Sequence, residues 1–145
     1  MRVDAHHWPL LMAVLEGKAS EGALRAHYAT LRARLEETTG PLVGLVDARS
    51  IGLHSFSRSR RQLSARLVRD VEPHFHRMRA QVFLVNGAFG SGITRAFLAL
   101  SPRPFPVQVS REPERALRWL HARLAFDIEG ALQALDTGSD SQRVA

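Results

Sequence analysis

The chain reads AQVFLVN from Ala80 to Asn86, GSGITRAFLALSPRPFP from Gly90 to Pro106, VQVS from Val107 to Ser110 and EPERALRWL from Glu112 to Leu120. This is strand, helix, strand, helix with almost no spare loop. Val82 to Val85 carries no charge on either face, as an inner strand covered by helices requires. SPRPFP, Ser101 to Pro106, is a rigid connector, because its prolines preset extended backbone and stop the preceding helix from continuing. The pattern predicts a strand from Val82 to Val85, a helix from Ile93 to Leu100 capped by Ser91, and a strand from Val107 to Val109. A last helix runs from Pro113 to Leu124, opening on a proline where a missing N–H costs least.

The same alternation extends towards the amino terminus. Trp8 to Leu15 is an apolar strand closed by Glu16-Gly17, and Ser20 offers a cap for a helix whose Leu24, Tyr28, Leu31 and Leu35 recur at helical spacing. That helix ends near Gly40-Pro41. LVGLV, Leu42 to Val46, is a second charge-free strand, terminating at Asp47-Ala48-Arg49. After a connection from Ser50 to Ser57, the positions Leu63, Leu67, Val71, Phe75 and Met78 form one helical stripe, which Pro73 should kink or break into two short helices.

Repeated strand, helix, strand order implies right-handed crossovers and a mostly parallel sheet. The expected fold class is therefore α/β: a single small domain with a four- to five-stranded sheet and about four helices. Residues 1–126 form the domain, and 127–145 read as a carboxyl-terminal extension, largely disordered after about 136, where Asp, Ser, Thr and Gly replace apolar residues.

At 145 residues and 45% hydrophobic content, one domain with a sizeable core is the default. Cysteine is absent, which excludes disulfides, a thiolate nucleophile and cysteine-ligated zinc. The apolar run Trp8 to Leu15 is too short for a membrane span and lacks a secretory cleavage pattern, so a cytoplasmic protein is expected. The net charge is +6, but Lys18 is the sole lysine, and where the arginines lie matters more than their sum.

The order of elements and the wording of several segments resemble the bacterial anti-sigma-factor-antagonist-like proteins, the STAS-like or SpoIIAA-like domains. The resemblance is carried by FLVN (Phe83 to Asn86), ITRAFLAL (Ile93 to Leu100), SPRPFP and ERALRWL (Glu114 to Leu120), with WPLLMAVLEG (Trp8 to Gly17) and LVDAR (Leu45 to Arg49) before them. It covers Trp8 to about Leu124. It implies a STAS-like fold and a non-enzymatic regulatory module that binds a partner protein; some relatives bind nucleotide or lipid, and some are switched by serine phosphorylation. In the phosphorylated members the serine lies in an Asp-Ser-Ser-Gly motif. Here the corresponding region reads HSFSRSR, His54 to Arg60, which lacks that motif and places Ser55 and Ser57 as the phosphorylation candidates.

From the residues themselves, Arg58, Arg66, Arg69, His76 and Arg77 fall opposite the apolar stripe, with Asp70 and Glu72 between them. Such a face is either a solvated helix surface or a docking site for an acidic partner, with Arg58, Arg66, Arg69 and Arg77 as the contact residues. No aromatic residues interleave with these arginines, which favours a protein partner over nucleic acid. The stretch Gly87 to Gly92 is read as a turn; Gly90, Ser91 and Gly92 would be the residues near a bound phosphate, although neither GxGxxG nor a P-loop is present. His6-His7 and His74 with His76 have no diagnostic metal spacing. Asp47 is expected to bond backbone or Arg49 rather than to act in catalysis, and Phe89, Phe97 and Trp119 read as core.

The expectation from sequence is thus a cytoplasmic regulatory module without catalytic residues, metal or cofactor, bound to a partner protein through the arginine-bearing helix and adjacent loops. A homodimer would suit its size. The alternative is a small-ligand domain, holding a nucleotide phosphate near Gly90 to Gly92 or an apolar molecule between the sheet and its helices.

Overall fold

A computed structural model describes residues 1–51 and 57–143. Ser55 lies outside the described residues. The strands are β1 (Arg2–Asp4), β2 (Leu10–Gly17), β3 (Leu42–Ile51), β4 (Met78–Leu84) and β5 (Val107–Ser110), and the α-helices are α1 (Glu21–Glu37), α2 (Arg58–Leu67), α3 (Gly87–Leu100), α4 (Pro113–His121) and α5 (Ile128–Arg143). Two 3-10 turns, Val68–Asp70 and Glu72–Arg77, follow α2, so the α-helix ends at Leu67, ahead of the break expected at Pro73, and Met78, expected on the helical stripe, opens β4.

The strands form one sheet in the order β1-β2-β3-β4-β5. β2 to β5 are parallel neighbours, while β1 pairs antiparallel with β2 through Arg2 to Val14 and Asp4 to Met12. Because each parallel strand is succeeded in space by the next in sequence, crossovers of one hand must all lie on the same side of the sheet. The packing follows that rule. Leu11, Leu42 and Phe83 face Tyr28 and Leu35 of α1, Val68 of the first 3-10 turn, Val71 between the two turns, and Phe97 of α3. The alternate residues Leu10, Met12, Val43, Leu45, Ala80, Val82 and Leu84 face Ala116, Leu117 and Leu120 of α4 and Ala131 and Leu135 of α5.

The α/β class, the mostly parallel sheet and the Ser20 cap match the sequence expectation; Ser20 Oγ accepts from Ala23 N–H at 3.1 Å. Several boundaries differ. β3 runs through Asp47 to Ile51 instead of stopping at Asp47, because β2 continues to pair with it as far as Gly17 to Ile51. α3 begins at Gly87, six residues before Ile93, and its N-cap is Asn86 rather than Ser91. The stretch after 127, expected as an extension disordered beyond about 136, continues as α5 to Arg143, with Ala131 and Leu135 in the core. Among the described residues no helix is long and apolar enough to cross a membrane.

Candidate functional site

The two faces of the sheet are covered differently. α4 lies close on β3, β4 and β5, whereas α2 contacts α1 and α3 more than it contacts any strand. A cavity of about 110 Å³ lies beneath α1, α2 and α3. Its floor is formed by alternate residues of the strands, among them Leu11, Ala13, Leu42, Gly44, Val46, Gln81 and Phe83. Gly44 helps to keep that floor low: a Cβ there would stand 3.0 Å from Met78 Cε and 3.7 Å from Gln81 Cγ.

The walls are apolar apart from a small set of polar groups. From α1, His27 is 7% exposed, and its Nδ1 is buried without a hydrogen-bond partner, as is Oε1 of Gln81. Burial holds the His27 imidazole neutral and pushes its pKa down to about 4, with the amino-terminal ammonium adding to the effect. Beside it, the Tyr28 hydroxyl pairs with Ser64 Oγ of α2 at 2.7 Å, a bond that ties two of the covering helices together, and burial raises the phenol's pKa. Thr94 of α3 turns its hydroxyl back to Gly90 O at 2.9 Å.

Arg103 reaches the same cavity from the SPRPFP connector. Its Nη1 donates to Ser101 O and, at 2.8 Å, to Ser101 Oγ. The guanidinium sits over the rings of Phe75 at 5.5 Å and Phe97 at 5.3 Å. No carboxylate forms an ion pair with it among the described residues. Burial lowers its pKa from the usual arginine value, but a guanidinium stays charged at any physiological pH. An apolar chamber with a few convergent polar groups is the usual form of a small-molecule site.

The residues singled out from sequence do not gather there. Arg58, Arg66 and Arg69 are exposed, and their side chains make no hydrogen bond or ion pair among the described residues. Arg77 is committed to structure: its Nε donates to Gly40 O at 2.9 Å, Nη1 to Leu35 O at 2.8 Å and Nη2 to Thr38 Oγ1 at 3.1 Å, which closes the carboxyl end of α1. Ser57 caps α2, accepting from Arg60 N–H at 3.4 Å. Gly90, Ser91 and Gly92 lie inside α3, where their N–H groups belong to the helical ladder, so the amides open to an anion would be those of Gly87 to Phe89.

Asp47 takes the bidentate pairing expected of it, with Arg49 Nε at 2.9 Å and Nη2 at 2.8 Å, and also accepts from Arg49 N–H. Phe97 is buried and Trp119 packs on the core, but Phe89 is 67% exposed and not a core residue. Among the described residues no group of three or more His, Cys, Asp or Glu could hold a metal.

No family model, curated protein or solved structure matches this chain. The site therefore has to be read from its own geometry. Sequence reasoning missed His27, Ser64, Gln81 and Arg103 as a group because they come from four separate segments. Two signals were nonetheless visible. His27 adjoins the apolar stripe that contains Tyr28, and Arg103 is the one charge between prolines and a phenylalanine in SPRPFP.

Proposed function

We propose that this protein binds a small, largely apolar molecule between its sheet and α1, α2 and α3. The observation that carries the reading is the cavity of about 110 Å³, with His27 Nδ1 and Gln81 Oε1 buried in its wall and unpartnered. An apolar void of this order is the size that admits a ring or a chain of about six carbons. Burying such a molecule stabilises the folded chain, because the ligand has no comparable site on the unfolded one. Binding needs neither a catalytic residue nor a cofactor.

The test is thermal unfolding with benzene, toluene, 1-hexanol and cyclohexanol at millimolar concentration, on the parent chain and on a Gly44→Val variant that fills the floor. A concentration-dependent rise in Tm that the variant lacks supports the reading. No rise with any of the four overturns it.

A second reading rests on a different observation, the exposed and unpartnered Arg58, Arg66 and Arg69. It is the regulatory-module role implied by the STAS-like resemblance: a cytoplasmic domain, monomer or homodimer, whose α2 face meets an acidic surface on a partner protein. Exposed Ser57 is its phosphorylation candidate, since a phosphate at a helix N-cap is favoured by the dipole. The Arg66→Glu, Arg69→Glu double variant should weaken a defined partner at least about tenfold and slow its association. Unchanged affinity would remove the reading.

A further inference from the structure

We infer that the molecule bound in the cavity is a monocarboxylate, its apolar body lying between the sheet and α1, α2 and α3 and its carboxylate on the guanidinium of Arg103. The inference rests on the ligand-binding reading and adds the chemistry of the ligand to it.

Arg103 is placed as an anion receptor would be. A guanidinium has five N–H donors in a planar fork. Among the described residues only Nη1 donates, to Ser101 O and Oγ, which leaves Nε and Nη2 uncommitted. The Ser101 bonds and the aromatic faces of Phe75 and Phe97 fix the plane of the group, so little side-chain freedom is left to lose on binding. Pro102 and Pro104 stiffen the connector on either side of it. Four surface arginines, Arg25, Arg32, Arg34 and Arg118, each pair with a glutamate three or four residues away, and the unpaired Arg58, Arg66 and Arg69 are exposed to water, which solvates their charge. Arg103, largely withdrawn from water into an apolar wall, has no such carboxylate; Glu72 acts on it only as a neighbouring charge, and the buried Tyr28 phenol stays neutral.

Charge and shape decide the class of anion. A carboxylate matches the guanidinium fork with two parallel hydrogen bonds. It also brings one negative charge to one positive charge. A phosphate monoester would bring close to two, leaving an uncompensated charge against walls made of leucine, valine and phenylalanine. The cavity volume sets the body at about one ring or a six-carbon chain. Benzoate and hexanoate have that form.

Calorimetric titration at low salt with benzoate, hexanoate, benzyl alcohol, 1-hexanol and phenylphosphonate separates the alternatives. On the parent chain each acid should bind at least about tenfold more tightly than the alcohol of the same body. In Arg103→Gln that preference should vanish while the alcohols still bind, which also shows that the variant is folded. A measurement that needs no variant is the carbon-13 shift of carboxyl-labelled hexanoate against pH. Its pKa in the complex should lie below that of free hexanoate, because the guanidinium favours the charged form.

If neither acids nor alcohols bind, the cavity reading fails and this inference with it. If alcohols bind and acids bind no better, the inference alone is overturned. A preference for acids that persists in Arg103→Gln, or a bound pKa at or above the free value, overturns the role of Arg103. Tighter binding of phenylphosphonate than of benzoate overturns the monocarboxylate class.

Discussion

His27 lies on α1 facing the cavity, 7% exposed, with Nδ1 unpartnered. Its folded pKa is pushed to about 4 by burial, against 6.5 for an ordinary histidine. Between those values the unfolded chain takes up a proton that the folded chain refuses, so stability falls as pH falls through that window and is unaffected by this group above it. The loss amounts to roughly 3 kcal/mol once the pH is below the folded value. Urea unfolding at a series of pH values should therefore show the parent chain losing stability between pH 6.5 and about 4 more steeply than His27→Phe. Parallel pH profiles would show that His27 titrates in the folded state as it does in water. Asp47 and Arg49 illustrate the opposite degree of legibility: two residues apart on one strand, they share a face by the period of the strand alone, and the pairing is readable from sequence. The place of His27 depends on how far α1 stands from the sheet, which no local period encodes.

At the scale of elements, α1 depends on a residue far from it in sequence. The last carbonyls of a helix have no partner within it, and here Arg77 donates to Leu35 O, Gly40 O and Thr38 Oγ1 while its guanidinium lies 6.0 Å from the Trp8 ring. Charge-assisted bonds of this kind are worth more than neutral ones, and Arg77→Ala should cost about 2 kcal/mol in chemical denaturation, with Arg77→Lys restoring part of it. A loss no larger than that of an exposed arginine such as Arg66 would show that α1 needs no such cap. The sequence placed Arg77 on a basic helical face because helical period was carried through Pro73; the 3-10 geometry after α2 rotates it away from that series. α3 was shortened in the sequence reading for a related reason. GAFGSG has poor helix propensity, yet Gly87 takes a φ of 65° at the start and Gly90 and Thr94 are buried, so packing overrides propensity.

For the whole molecule, the alternation of charge-free strands and periodic helices was legible because a strand covered on both faces leaves no polar position. Handedness then assigns α1, α2 and α3 to one face, and α4 and α5, which follow the last strand, are left to cover the other. The cavity was not legible, because it is the difference between a close layer and a propped one. The attachment of α5 was not legible in composition either: its small and polar residues give no amphipathic signal, and it is Ala131 and Leu135, 0% and 2% exposed against β2, β3 and β4, that hold it on the sheet. With α5 absent, Leu10, Val43, Leu45 and their neighbours would have α4 as their main remaining cover. Ending the chain at Phe126 should therefore lower stability by at least about 3 kcal/mol and open an apolar patch that binds a dye such as ANS. A shortened chain that unfolds at the parent's midpoint, with no dye bound, would show instead that α5 is an appendage and that α4 alone closes the face.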